Sequence, residues 1–194
     1  AWLAGLVDRP TLAGAVQAAQ TVYSNFGVDD ASRALACAGV KGHVEVLLYK
    51  SLPPDVLVPR HMISVDHELG YVVVALAGTS SIGDVVTDLV CEPITIHLGG
   101  LDGLAHGGMW RAAERLAPYL QPVVQQGLAA LQGPPRVMLC GHSLGAGVAA
   151  LLTGLWRDEC AFAPGTSVQC MAFACPQVLD ARMAAALRPH VCTL

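Results

Sequence analysis

The chain has 194 residues, 54% of them hydrophobic and only 13% charged, about half the charged fraction of an ordinary soluble protein. That balance excludes disorder and suits one domain, or part of one, in which parallel strands and Ala-rich helices bury each other. A net charge of −4, with 11 Lys and Arg scattered along the chain, leaves no basic footprint, so nucleic acid is excluded as a partner.

Residues 11 to 39 are rich in Ala and carry Asp29-Asp30 at a helix start, which predicts one or two helices covering a sheet. Residues 1 to 43 are therefore assigned to an N-terminal helical segment, and 44 to 194 to the catalytic-type domain. Strands are predicted at Val44–Tyr49, Met62–Val65 and Tyr71–Leu76, the last two joined as a hairpin across residues 66 to 70. A short helix follows from Ile82 to Leu89. Residues 98 to 108 read as a Gly-rich linker, and residues 109 to 131 have helical spacing that Pro118 and Pro122 should break or kink. Strand Val137–Cys140, helix Leu144–Trp156, strand Val168–Ala174, helix Ala181–Leu187 and an apolar run Val191–Leu194 complete the series. Alternating strands and helices predict an α/β fold with a mostly parallel sheet covered on both faces.

The seven cysteines include no C-x-x-C pair, so neither a zinc site nor a complete disulfide framework is indicated, and no cofactor is implied. Cys140, Cys170 and Cys175 lie in strand-like apolar runs, which fits a reduced, intracellular or membrane-associated setting. The longest apolar stretch, Leu144 to Trp156, is shorter than the 18 to 20 residues or so of a membrane span. The chain starts at Ala1 without Met or a signal pattern, so its N-terminus reads as a cut.

The chemistry concentrates at Gly141-His142-Ser143-Leu144-Gly145. A G-x-S-x-G pentapeptide arises by chance in about one chain of this kind in ten, so the motif counts only through its context. That context is a strand entering at Val137–Cys140 and a helix leaving at Leu144, the strand–turn–helix in which a serine is thrust out of a sheet as a nucleophile. Gly141 and Gly145 remove the Cβ atoms that would collide in so sharp a turn. The helix beginning at Leu144 aims its N–H groups at the position of an oxyanion, with the Leu144 N–H as one donor. The second donor on such a fold comes from the turn after an earlier buried strand, here Gly78-Thr79-Ser80-Ser81, with Thr79 the candidate and Gly78 permitting close approach. A plain helix cap by Ser80 or Ser81 is compatible with the same turn. Asp84 and Asp88 read as a solvated face, His142 as packing, and His43, His61, His67, His97 and His106 as structural or surface residues.

Together these residues resemble the class 3 lipases: the run Val72 to Ser81, Asp84 and Asp88-Leu89, Ala105-His106-Gly107-Gly108-Met109, and Gly141 to Gly147. The resemblance spans residues 44 to 194. Ile63-Ser64-Val65-Asp66-His67 and His106-Gly107-Gly108-Met109 look most like the branch of sn-1-specific diacylglycerol lipases. The resemblance implies the α/β-hydrolase fold and a serine-dependent ester hydrolase cleaving acylglycerols through an acyl-enzyme, with Ser143 as nucleophile and Thr79 and Leu144 as oxyanion donors. It also implies a lipid substrate at a membrane or droplet surface, and sets no oligomeric state.

Two departures stand out. Ala77 occupies a position where relatives usually carry Arg. The triad acid of the family follows the strand after Phe173-Ala174-Cys175-Pro176; here that strand is His190 to Leu194, where the sequence stops. The triad Asp and His are thus expected beyond residue 194, and a C-terminally truncated, inactive piece is the expectation; Asp180 and His190 would need a different geometry to substitute. The alternative is a non-catalytic lipid-binding or scaffolding module on a degenerate hydrolase fold.

Overall fold

The computed structural model describes residues 9–23, 44–50, 58–78 and 92–194. The predicted helix from Ile82 to Leu89, the Asp29-Asp30 helix start, and Thr79, Ser80, Ser81, Asp84 and Asp88 lie outside these residues.

Among the described residues, eight strands and four helices follow in chain order: α1 (Arg9–Thr21), β1 (Val44–Lys50), β2 (His61–Asp66), β3 (Tyr71–Leu76), β4 (Pro93–Leu98), β5 (Leu101–His106), α2 (Gly107–Ala130), β6 (Arg136–His142), α3 (Leu144–Asp158), β7 (Ser167–Phe173), α4 (Ala181–Leu187) and β8 (Val191–Thr193). Six strands form one sheet in the order β1-β2-β3-β6-β7-β8. The β1–β2 and β2–β3 pairs are antiparallel, while β3–β6, β6–β7 and β7–β8 are parallel. The last three require crossovers, and α2, α3 and α4 precede or follow those strands.

Alternation along the central strands divides the interior in two. Val72, Val74 and Leu76 of β3, with Val137 and Leu139 of β6, face α2 and α3. Val73, Ala75 and Ala77, with Met138, Cys140 and Met171, face α1. A period of two buries both sets because each face has its own helical cover. Helix α1 presents Ala15, Ala18 and Ala19, at i, i+3 and i+4, to the second face, and Val22 in the turn after it continues the stripe at i+7. The cover expected from the Ala-rich N-terminal region is therefore present in α1, and it shares a core with residues of the 44 to 194 segment.

One expectation fails, and a second fails in its stronger form. Residues 98 to 108 are not a linker: β4 and β5 pair as an antiparallel hairpin, Leu98 opposite Leu101, around Gly99-Gly100. Both glycines have positive φ, 61° and 73°, the backbone that a two-residue hairpin turn requires. Nor do the prolines break the helix, since α2 runs from Gly107 to Ala130 through both. Pro118 and Pro122 are four apart and exposed, so the carbonyls left without N–H partners, at Glu114 and Pro118, lie on the wet side of the helix, where water can satisfy them.

Candidate active site

At the carboxyl end of β6 the chain turns into α3 through Ser143, whose φ of 55° and ψ of −122° lie in a region that side chains rarely adopt. The turn is held from both sides. The Ser143 N–H donates to the Phe173 carbonyl of β7 at 3.0 Å, and the Ser143 carbonyl accepts the first helical bond, from Gly147 N–H at 3.1 Å. The side chain makes no capping hydrogen bond to α3, so its hydroxyl is not consumed in holding the helix.

The flanking glycines are needed by packing. A Cβ at Gly141 would lie 2.5 Å from the Gly145 carbonyl carbon and 2.8 Å from Ala146 N; one at Gly145 would strike the Leu76 carbonyl and lie 2.7 Å from that of Ala77. Real Cβ atoms do not approach backbone so closely, so α3 can start against β3 only if residue 145 has no side chain.

Those contacts bring the end of β3 to the elbow. A Cβ at Gly78 would sit 2.6 Å from the His142 carbonyl oxygen and 3.4 Å from Ser143 Cβ. The structure thus brings together Ser143, Leu144, Gly141, Gly145 and Gly78 from the predicted set, at the carboxyl ends of neighbouring parallel strands, where sheets of this kind place their sites. Thr79 lies outside the described residues. Leu144 is the first residue of α3, so its N–H is among the first-turn donors that have no acceptor within the helix. A hydroxyl on a half-buried turn beside such donors can attack a carbonyl while the forming oxyanion is stabilised.

Asp180 and His190, weighed above as substitutes for the triad, lie away from the serine. Asp180 caps α4, accepting from Arg182 and Met183 N–H at 2.9 and 3.0 Å, and its other oxygen takes the Leu104 N–H at 2.7 Å. The Met183 and Leu104 amides hold its carboxyl below the usual range. The His190 carbonyl accepts from Cys170 N–H, three residues back along β7 from the Phe173 that holds Ser143, a separation of about 10 Å. Burial, and secondarily Arg157, lowers the pKa of its ring. Neither serves the serine in this geometry.

His106 caps α2, its Nδ1 accepting from Met109 N–H at 3.3 Å, which gives this histidine a structural task. His142, read from the sequence as packing, is exposed, with its ring edge-on to Tyr23 at 6.4 Å between centroids. Tyr23 is a neighbour that sequence reasoning missed: Gly78 N–H donates to its hydroxyl at 2.7 Å. No spacing in the sequence links residues 23, 78 and 142. Among the described residues no cluster of three His, Cys, Asp or Glu is arranged to hold a metal.

A family model described as Lipase (class 3) matches residues 73–193. The chain belongs to the class 3 lipase family. Among curated relatives of this lipase chain, mouse diacylglycerol lipase-beta is 41% identical over 102 residues, 50% of this chain and 15% of that protein. Human diacylglycerol lipase-alpha is 31% identical over 125 residues, 58% of this chain and 12% of that one. The chain thus spans a small part of the length of these relatives. A mutant form of MDLA from Penicillium cyclopium superimposes with a TM-score of 0.72 over 96% of this chain and 71% of its own, at 22% identity. A triacylglycerol lipase from Penicillium expansum gives 0.69 over 94% and 66%, at 16% identity. At those identities the likeness is one of fold, and the fold is that of the α/β-hydrolases.

Proposed function

We propose that this lipase-family chain carries the nucleophile and oxyanion elements of a serine-dependent carboxylic ester hydrolase acting on acylglycerols, diacylglycerol first among them. The observation that carries the reading is Ser143 on a positive-φ turn between β6 and α3, its hydroxyl not used in capping, with the Gly78 turn packed against it. Ser143 Oγ attacks the ester carbonyl, a base takes its proton, the tetrahedral oxyanion leans on the N–H groups of Leu144 and Thr79, and the alcohol departs to leave an acyl-enzyme that water then hydrolyses. The base and the acid that orients it come from outside the described residues, since Asp180 is engaged elsewhere and His190 precedes β8, at the opposite end of the parallel strands from Ser143. Membership of the class 3 lipases and similarity to two diacylglycerol lipases support the choice of substrate. The lipid is met at a membrane or droplet surface.

The test is hydrolysis of dioleoylglycerol in mixed micelles by the full-length protein and its Ser143→Ala variant, with binding to the micelles measured in parallel. Loss of at least about 10³-fold in rate with binding retained is expected, since removal of a nucleophile leaves only the contribution of the oxyanion hole and binding. Equal rates in both proteins would sink the reading. Binding without hydrolysis in either would favour a lipid-binding module on this fold.

A further inference from the structure

We propose that Tyr23 is a positioning residue of this site: its hydroxyl bridges the end of β3 to the elbow and sets the separation between the Gly78 turn and Ser143. The inference rests on the ester-hydrolase reading above and adds to it a residue from the turn that ends α1, the helix on the opposite face from α2 and α3.

The β2–β3 pairing reaches its last bond where Ala77 N–H donates to the Arg60 carbonyl at 2.8 Å, and the β3–β6 register ends at Leu76 opposite Gly141. Gly78 and His142 therefore lie just past the last rung of the ladder, where the strands are no longer joined by their own backbones. The Tyr23 hydroxyl stands in the gap. It accepts the Gly78 N–H at 2.7 Å and lies 3.4 Å from both the His142 carbonyl, to which it donates, and His142 Nδ1. A phenol has one proton and two lone pairs, so one hydroxyl can accept from the turn and donate to the peptide that precedes Ser143. No atom fits between: a Cβ at Gly78 would lie 2.6 Å from the same hydroxyl.

Tyr23 is itself fixed. Arg60 Nη1 donates to its carbonyl at 2.8 Å while the Arg60 carbonyl holds Ala77, and the preceding Val22 is fully buried against the sheet. Burial raises the pKa of the phenol, with the Gly78 bond opposing to a lesser degree, so the hydroxyl is neutral in working conditions and puts no charge beside a developing oxyanion. Gly78 packs against the serine, a Cβ there lying 3.4 Å from Ser143 Cβ, so the anchor on Gly78 fixes how closely the end of β3 approaches Ser143. Misplacement by about 1 Å can cost about 10²-fold in rate.

The test compares wild type, Tyr23→Phe and Tyr49→Phe in the full-length protein, using a long-chain fluorophosphonate, from which Ser143 Oγ displaces fluoride at phosphorus. Tyr49 donates to the Val22 carbonyl at 3.5 Å, so its variant strips a hydroxyl from the same helix end without touching the elbow. Expected is a fall of roughly 10- to 100-fold in the maximal labelling rate of Tyr23→Phe, with half-saturation within about twofold, an unchanged melting temperature, and normal labelling of Tyr49→Phe. Wild-type labelling in Tyr23→Phe would overturn the role of Tyr23 while leaving Ser143 as nucleophile. A loss that follows the folded fraction, alike in both variants, would reduce Tyr23 to a structural contact and also overturn it. Absence of wild-type labelling at Ser143 would remove the hydrolase reading, and this inference with it.

Discussion

A methyl group at Gly145 would meet the Leu76 and Ala77 carbonyls, which belong to the central strand and have nowhere to move. Gly145→Ala is therefore expected to lower unfolding free energy by about 1–3 kcal/mol, the usual range for forced overpacking, and to impair ester hydrolysis further by pushing α3 away from β3. Denaturant titration and a rate assay on the same sample check both parts. Cys140 presents a different kind of constraint, because complete burial pushes its thiol up to about 12 from 9.0. Between those values the unfolded chain releases a proton that the folded one retains, so the unfolded state is favoured as pH rises. Stability from this thiol is intact below pH 9 and falls above it by up to about 1.4 kcal/mol per pH unit. A Cys140→Ala variant should show a shallower alkaline loss in urea titrations between pH 8 and 10.5, and an identical slope would rule the thiol out as its cause. The glycines of the elbow were legible in the sequence because a strand-turn-helix admits only residues without side chains there. Tyr23 was not, since nothing local requires a hydroxyl at the end of a covering helix.

At the level of elements, the strongly periodic helices, α2 included, and the buried strands were legible within a residue or two, while a break of α2 at its prolines was wrongly allowed for and the β4–β5 hairpin was misjudged, for instructive reasons. Both prolines of α2 fall on its exposed side, so the cost of each is an unpaired carbonyl in water rather than in the core. Pro118→Ala should restore the bond to the Glu114 carbonyl and raise stability by about 1–3 kcal/mol; a lower melting temperature would mean that the proline ring contributes packing. The hairpin was masked by its glycines, although Gly99-Gly100 between Leu98 and Leu101 is itself a turn signal. Asp180 ties this hairpin to α4 by accepting amide bonds from both. Because those bonds depress its pKa, their contribution is present above the ordinary carboxylate range and is lost as pH falls through the lowered value. Hydrogen exchange at the Leu104 and Met183 amides should accelerate in acid before the central strands open, and uniform protection down to global unfolding would refute that.

For the whole molecule, the decisive contact is between α1 and the sheet face formed by Val73, Ala75, Met138 and Met171. Ala18 is 2% exposed in that contact, so Ala18→Asp would place an unpaired carboxylate in an apolar interface at a cost on the order of 3 kcal/mol. Undocking α1 also withdraws the Tyr23 hydroxyl, so hydrolysis should fall more steeply than the folded fraction measured by circular dichroism. Parallel loss of the two would separate the helix from the site.

The sequence by itself determined most of the elements and the positions where local geometry requires glycine. Hydrophobic period marks strand and helix, and only Gly tolerates the backbone contacts of the Ser143 turn. What the tertiary structure alone decided is which distant groups meet. That Tyr23 closes the gap between Gly78 and His142, and that Asp180 and His190 lie away from the serine, follow from sheet order and helix docking. Those depend on packing between residues far apart in the chain, for which no spacing along it is a guide.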